Sequence, residues 1–274
     1  MPELPEVETV KETLKLQVLN KKIKNVKVLY SNIIEYPASD IFIKELIGQT
    51  INDIKRRGKW LLFELDNYYL LSHLRMEGKY NIRNPKDSYD KHEHVCFEFT
   101  DNTELRYKDT RKFGRMHLIC KDDLYTSKPL NELGLEPWDE LLTVDYLKDK
   151  YKSKKKPIKT VILDQSIIVG IGNIYADEIL FLSNINPFTK ASELDGESLQ
   201  KIIDNTRRVL TDAIKMGGTT IRTYTSSEGV HGRFQQNLLV HNHEGDLCPV
   251  CKNIIVKVQI NGRGTYYCEK CQNN

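Results

Sequence analysis

Cys248-Pro-Val-Cys251 and Cys268-Glu-Lys-Cys271, the two ends of the stretch CPVCKNIIVKVQINGRGTYYCEKC at residues 248–271, decide the architecture of the C-terminal part of the chain. The pairs are separated by 16 residues. They offer four thiolates at the spacing that closes a tetrahedral zinc site on a β-hairpin. Four sulfur ligands leave no open position for a substrate, so this metal staples a fold and does not catalyse. Between the pairs, Gly262-Arg-Gly264 reads as the hairpin tip with Arg263 exposed, where a guanidinium is suited to a phosphate or a base edge.

Moving toward the N-terminus, a long helix is predicted from about Glu197 to Lys215, ending at Gly217-Gly218 and followed by a polar loop with Arg222 and Tyr224. Before it, Ile158 to Gln165 reads as helical, as does Ile174 to Phe181. Val169-Gly-Ile-Gly-Asn173 lies between them. Glycines there let the backbone turn sharply and turn amide N–H groups toward an anion at the next helix start. The densest basic run is Lys152-Ser-Lys-Lys-Lys156, with Lys154 a candidate phosphate contact. From Leu130 to Tyr151 the pattern weakens and reads as a connection, with a short helix near Val144 to Tyr151.

The first half carries short β-branched and aromatic runs: Val26 to Tyr30, Leu61 to Leu65, Tyr69 to Leu74, Lys79 to Arg83, Val95 to Phe99 and Met116 to Cys120. With no helices alternating between them, they suggest an antiparallel sandwich or barrel, with Cys96 and Cys120 as buried core thiols. Basic clusters fall at Lys55 to Lys59, His73 to Met76, Lys91-His92 and Lys108 to Phe113. Taken singly, each reads as solvated surface, and Met76 and Phe113 read as core. Together they set cations suited to phosphates beside apolar residues, the mixture a protein needs if it must hold a backbone and push something into a base stack.

The first ten residues, Met1-Pro-Glu-Leu-Pro-Glu-Val-Glu-Thr-Val10, begin a helix expected from about Pro5 to Leu19, with Val7, Val10, Leu14 and Val18 on one face. Glu3 and Glu6 lie at its positive end. If Met1 is removed, Pro2 presents a secondary α-amine, a group titrating near about 7.7 to 8.0 and able to attack a carbonyl-like carbon.

Composition sets the bounds. At 274 residues the chain has length for two modest domains, and its net charge of +3 permits nucleic acid without demanding it. No apolar run approaches a membrane span, and the acidic start is unlike a signal peptide, so an intracellular protein is expected. Six cysteines, four of them in close pairs, point to metal ligation in a reducing compartment.

Taken together, Pro2-Glu-Leu-Pro-Glu6, the stretch from Asp164-Gln165 to Glu178 and the final Gly262-Arg-Gly-Thr-Tyr-Tyr-Cys268 resemble the formamidopyrimidine-DNA glycosylase family over essentially the whole chain. The resemblance implies an α+β fold, with an N-terminal helix and antiparallel β-sandwich at 2–132 and a linker at 133–151. A helix-two-turns-helix domain at 152–237 and a zinc-finger hairpin at 238–274 would complete it. It implies one structural Zn2+ and a cytoplasmic, nucleoid-associated monomer that acts on double-stranded DNA carrying a damaged purine, with no membrane partner.

By the same resemblance Pro2 is the nucleophile, Glu3 the acid that helps open the sugar, and Glu6 its support. Lys59 matches the lysine of phosphate contact and β-elimination, and Arg263 the arginine that grips phosphates and assists δ-elimination. Asn173 matches a phosphate-binding asparagine, while His92 and Lys154 look like further DNA contacts. Met76, Arg111 and Phe113 match the trio that fills the gap left by an extruded nucleotide, with Arg111 facing the orphaned cytosine. Thr219, Thr220, Ile221, Arg222, Thr223 and Tyr224 resemble the loop that reads the extruded base. His241-Asn242-His243 departs from the family pattern and puts one backbone contact in doubt. The rival readings are an endonuclease VIII-like enzyme for oxidised pyrimidines and a zinc-stapled DNA-binding protein without chemistry.

Overall fold

The computed structural model describes residues 1–219 and 233–273. Five of the six residues expected to read the extruded base, Thr220 to Tyr224, therefore lie outside the described residues. Contacts group Met1–Asn131 with Thr219 into one unit, and Glu132–Gly218 with the chain from Arg233 onward into a second. The 133–151 stretch, expected to be a linker, thus falls within the second unit.

The first unit opens with α1 (Leu4–Val18), whose second residue, Pro5, suits the first turn because proline has no N–H to leave unpaired there. Val7, Val10, Leu14 and Val18 are buried along one face, as their spacing predicts. Two sheets follow. One has the order β1 (Ile23–Val28), β7 (Glu93–Phe99), β8 (Glu104–Lys108), β6 (Lys79–Arg83). The other has the order β2 (Ile34–Tyr36), β9 (Arg115–Cys120), β5 (Tyr68–His73), β4 (Trp60–Glu64), β3 (Asp53–Arg57). Residues from both sheets and from α1 share one core, including Val10, Leu14, Leu61, Phe63, Tyr80, Phe97 and Tyr107. All pairings are antiparallel except β2 with β9.

The predicted strands all appear, with ends shifted by a few residues. Four elements are added: β2, β3, β8 and a short helix α2 (Ser39–Leu46). β3 is Asp-Ile-Lys-Arg-Arg, an edge strand whose charges hide its pattern; Lys15–Asp53 and Arg56–Glu8 ion pairs, each 2.7 Å, clamp α1 onto it. Cys96 is buried, but Cys120 is exposed, which corrects the expectation of two core thiols. Cys120 is the last residue of β9, where the chain turns outward.

The second unit holds α3 (Val144–Tyr151), α4 (Ile158–Val161), α5 (Asn173–Leu182), α6 (Gly196–Lys215) and the hairpin of β10 (Val256–Ile260) and β11 (Arg263–Tyr267). α6 begins at an Asp195 cap whose carboxylate accepts the Ser198 amide at 2.8 Å, and it ends at Gly217 and Gly218, both with positive φ. The helix expected from Ile158 to Gln165 is one turn only. Gln165 lies beyond it and ties the loop that follows, donating to the carbonyls of Leu163 and Ile171 at 2.9 and 3.0 Å while accepting the Gly170 amide at 2.8 Å. Among the described residues no helix is long and apolar enough to cross a membrane.

Candidate active site and zinc centre

The chain begins in a pocket of opposed charges inside the first unit. Pro2, Glu3 and Glu6 are buried, the two carboxylates to 2% and 3% exposure. The Glu3 amide donates to one Glu6 oxygen at 2.8 Å. The other Glu6 oxygen accepts from the Thr219 amide at 2.8 Å and hydroxyl at 3.0 Å. Glu6 thereby fixes the helix start and ties it to the described end of the expected reading loop.

Lys59 is buried in the two-residue turn between β3 and β4, where Gly58 takes a φ of 57°. Its charge reaches the chain terminus, as do those of Glu3, Glu6 and Glu77. Burial pulls the Met1 amine below the usual α-amino range and Lys59 adds to that, while the three carboxylates oppose it. The terminal nitrogen here is that of Met1 and stands one residue before the nitrogen of Pro2. An amine with a lowered pKa beside carboxylates and an ammonium is equipped for nucleophilic attack and proton transfer.

A second group of expected residues occupies two turns of the same unit. Met76 is half-buried in the turn joining β5 to β6. Arg111 is exposed and Phe113 is 47% exposed in the turn joining β8 to β9, with the guanidinium 4.7 Å from the ring centre. Phe113 is therefore not core. His92 precedes β7, and its buried Nδ1 finds no hydrogen-bond partner among the described residues.

Two residues here escaped the sequence reading. Glu77 hydrogen-bonds Thr110 across the two turns, and Asp109, fully buried, accepts from the amides of Arg111, Phe113 and Gly114 at 3.0, 2.9 and 2.8 Å. An aspartate two residues before an arginine and five before a glycine is a turn-capping signal that was masked by the cations around it.

In the second unit Asn173 opens α5 and donates through Nδ2 to the Gly264 carbonyl at 2.9 Å, which places it against the hairpin strand begun by Arg263. Its buried Oδ1 finds no hydrogen-bond partner among the described residues. The hairpin tip is Asn261-Gly262, both at positive φ, and not Gly262-Arg-Gly264; Arg263 is exposed as the first residue of β11. Lys154 lies 3.4 Å from Asp164 in a half-exposed pair.

His241, at the departure from the family pattern, places Nδ1 2.7 Å from Asp177, whose other oxygen accepts from Lys159 at 2.6 Å. The amides of Leu239, Val240 and His241 all donate to Glu178, whose pKa burial raises. This polar cluster joins α5 to the segment entering the cysteine module.

The Sγ atoms of Cys248, Cys251, Cys268 and Cys271 lie within 4.8 Å of one another, with the Cys251–Cys268 and Cys248–Cys271 pairs at 3.4 and 3.8 Å. Zinc–sulfur bonds of about 2.3 Å in a tetrahedron put sulfurs roughly 3.8 Å apart, so the four thiols fit the ion. The Asn253 amide holds the Cys251 thiol down to about 7, whereas burial pushes the Cys268 and Cys271 thiols up, so an entering metal must displace their protons.

Three family models match in order: the formamidopyrimidine-DNA glycosylase N-terminal domain over residues 1–116, its H2TH domain over 133–225, and a zinc finger found in FPG and IleRS over 245–274. A formamidopyrimidine-DNA glycosylase of Oceanobacillus iheyensis is 48% identical, covering 100% of this chain and 98% of that protein. The chain belongs to the formamidopyrimidine-DNA glycosylase family. Among solved structures, the wild-type Lactococcus lactis Fpg bound to an N7-benzyl-Fapy-dG-containing DNA matches with a TM-score of 0.92 at 37% identity over 100% of both chains. The same enzyme with an oxidised-pyrimidine-containing DNA matches with a TM-score of 0.91 at 36% identity, again over 100% of both chains. The family's zinc-finger model and the four gathered cysteines make this module a structural zinc site, one ion per chain.

Proposed function

We propose that the chain is a bifunctional DNA glycosylase and abasic-site lyase of base excision repair, which removes 8-oxoguanine and formamidopyrimidines from double-stranded DNA. The observation that carries this reading is the start of α1, where Pro2, Glu3 and Glu6 are buried and Glu6 holds both the Glu3 amide and Thr219. With Met1 removed, the Pro2 nitrogen attacks the anomeric carbon of the damaged nucleotide, the base departs and an iminium forms. Glu3 donates the proton that opens the sugar, and Glu6 holds Glu3 in place through its amide. Lys59 contacts phosphate and assists β-elimination, and Arg263 contacts phosphate and assists δ-elimination.

Met76, Arg111 and Phe113 fill the stack vacated by the extruded nucleotide, offsetting an extrusion cost of a few kcal/mol, about that of unstacking one base. Thr219 to Tyr224 read the extruded base. His92, Lys154 and Asn173 bind backbone phosphates, and the Lys154–Asp164 pair parts when DNA arrives. The domains are assigned as 2–132 catalytic, 133–151 connecting, 152–237 DNA-binding and 238–274 zinc finger. The protein works as a cytoplasmic monomer on the nucleoid.

An oxidised-pyrimidine preference is the second reading, favoured by the Lactococcus lactis complex with such a DNA. Duplexes carrying 8-oxoguanine opposite cytosine and thymine glycol opposite adenine separate the two. Faster single-turnover excision of 8-oxoguanine is expected, and faster excision of thymine glycol would reverse the assignment.

A further inference from the structure

The two turns that carry Met76 and the Arg111–Phe113 pair are built as one body, and Asp109 with Tyr107 is the means. The Asp109 carboxylate is wholly buried and accepts three amides of the 110–114 turn, with the Tyr107 hydroxyl 3.5 Å from it. The backbone of Asp109 is held as well: its amide donates to the His92 carbonyl at 2.9 Å, and its carbonyl meets His94 Nε2 at 2.8 Å. Within the turn Lys112 takes a φ of 57°, which a non-glycine residue adopts only when its surroundings fix it.

The Tyr107 hydroxyl reaches into a notch formed by Gly78 and Gly114. A Cβ at either glycine would lie 2.3 or 1.8 Å from that oxygen. Each glycine closes one of the two turns, so both turns pack against the same phenol. The Thr110–Glu77 hydrogen bond closes the bridge between them. Glu77 is also among the charges acting on the chain terminus.

We propose that Asp109 is the positioning residue for opposite-strand reading. By gathering the amides of Arg111, Phe113 and Gly114, and with Tyr107 and the Thr110–Glu77 bond locking this turn to the Met76 turn, it presets the wedge and the guanidinium before DNA arrives. The inference rests on the proposed role of Arg111 in facing the base opposite the lesion. Asn in place of Asp109 has one acceptor oxygen and sets an NH2 group against an amide N–H, so the turn loses its hold on Arg111 without any change to residues of the terminal pocket.

The test is the ratio of single-turnover excision rates for 8-oxoguanine opposite cytosine and opposite adenine, a ratio insensitive to the amount of active protein. It is measured for the wild type, Asp109→Asn, Thr110→Val and Arg111→Ala, each checked for folding by its thermal melt. Asp109→Asn is expected to lower the ratio about tenfold, and the Asp109→Asn/Arg111→Ala double variant to fall no further than Arg111→Ala alone. Thr110→Val, which cuts only the exposed bridge, is expected to lower the ratio severalfold, and it decides the matter if Asp109→Asn fails to fold. An unchanged ratio in a folded Asp109→Asn, or in Thr110→Val when the first does not fold, overturns the inference while leaving the proposed function intact. An unchanged ratio in Arg111→Ala overturns the reading beneath it.

Discussion

His73 shows how the site constrains individual residues. It is buried with its ring edge-on to Trp60 at 4.8 Å, and its Nδ1 accepts the Arg75 amide at 3.0 Å. Burial, followed by the charges of Arg75 and Lys59, pushes its pKa down to about 3. Above the ordinary value of 6.5 both folded and unfolded chains hold this histidine neutral. Below it the unfolded chain takes up a proton that the folded chain refuses, so stability falls with falling pH down to about 3. At pH 5 the expected loss is about 2 kcal/mol from this residue. Urea unfolding of the wild type and His73→Gln between pH 7 and 5 checks it: the variant should show a flatter decline. Arg263 is exposed at the start of β11, and its replacement by alanine is expected to weaken DNA binding and lower the salt slope by about one phosphate contact. A salt titration showing an unchanged slope would remove Arg263 from the phosphate contacts.

Elements are held by polar devices that local sequence patterns do not advertise. Arg106 on β8 is 1% exposed, pairs with Glu104 at 2.6 Å and Glu93 at 3.0 Å, and donates to the carbonyls of Asn84, Asp87 and Ser88. It thereby pins the loop that leads to His92. Arg106→Met leaves two buried carboxylates unpaired and should cost roughly 3–5 kcal/mol by urea denaturation. β8 was not legible in the sequence for the same reason: Glu-Leu-Arg-Tyr-Lys carries its charge inward, against the usual alternation. β3 was hidden by its cationic edge. By contrast α1 follows from apolar spacing and its proline, and α6 from its glycine end. The zinc hairpin was legible from cysteine spacing, though its tip shifted by one residue because Asn261 also accepts positive φ. Stripping the zinc with a chelator is expected to release the Asn173–Gly264 bond and abolish DNA binding, while the sandwich of the first unit keeps its strand signal. Far-ultraviolet circular dichroism with a DNA-binding titration reads both; retained binding without metal would contradict a structural role for the ion.

At the scale of the molecule, the residues singled out from sequence fall into two sets. Pro2, Glu3, Glu6, Lys59, Met76, Arg111, Phe113 and Thr219 belong to the first unit, and Lys154, Asn173, Arg263 and the four cysteines to the second. Motif recognition proposes both sets, because each short motif carries its own chemistry. It did not find what binds members of a set to one another. Glu6 to Thr219 spans 213 residues, and Glu77 to Thr110 spans 33; such pairings arise only in the folded chain and leave no trace in local spacing. In the proposed mechanism the chemistry begins at the Pro2 nitrogen. Borohydride reduction of the protein mixed with 8-oxoguanine duplex, followed by peptide mass mapping, tests it most directly. A covalent adduct on Pro2 in protein lacking Met1, and none in protein retaining Met1, is the expected result; an adduct on Lys59 or any other residue, or one formed with Met1 still attached, would contradict it.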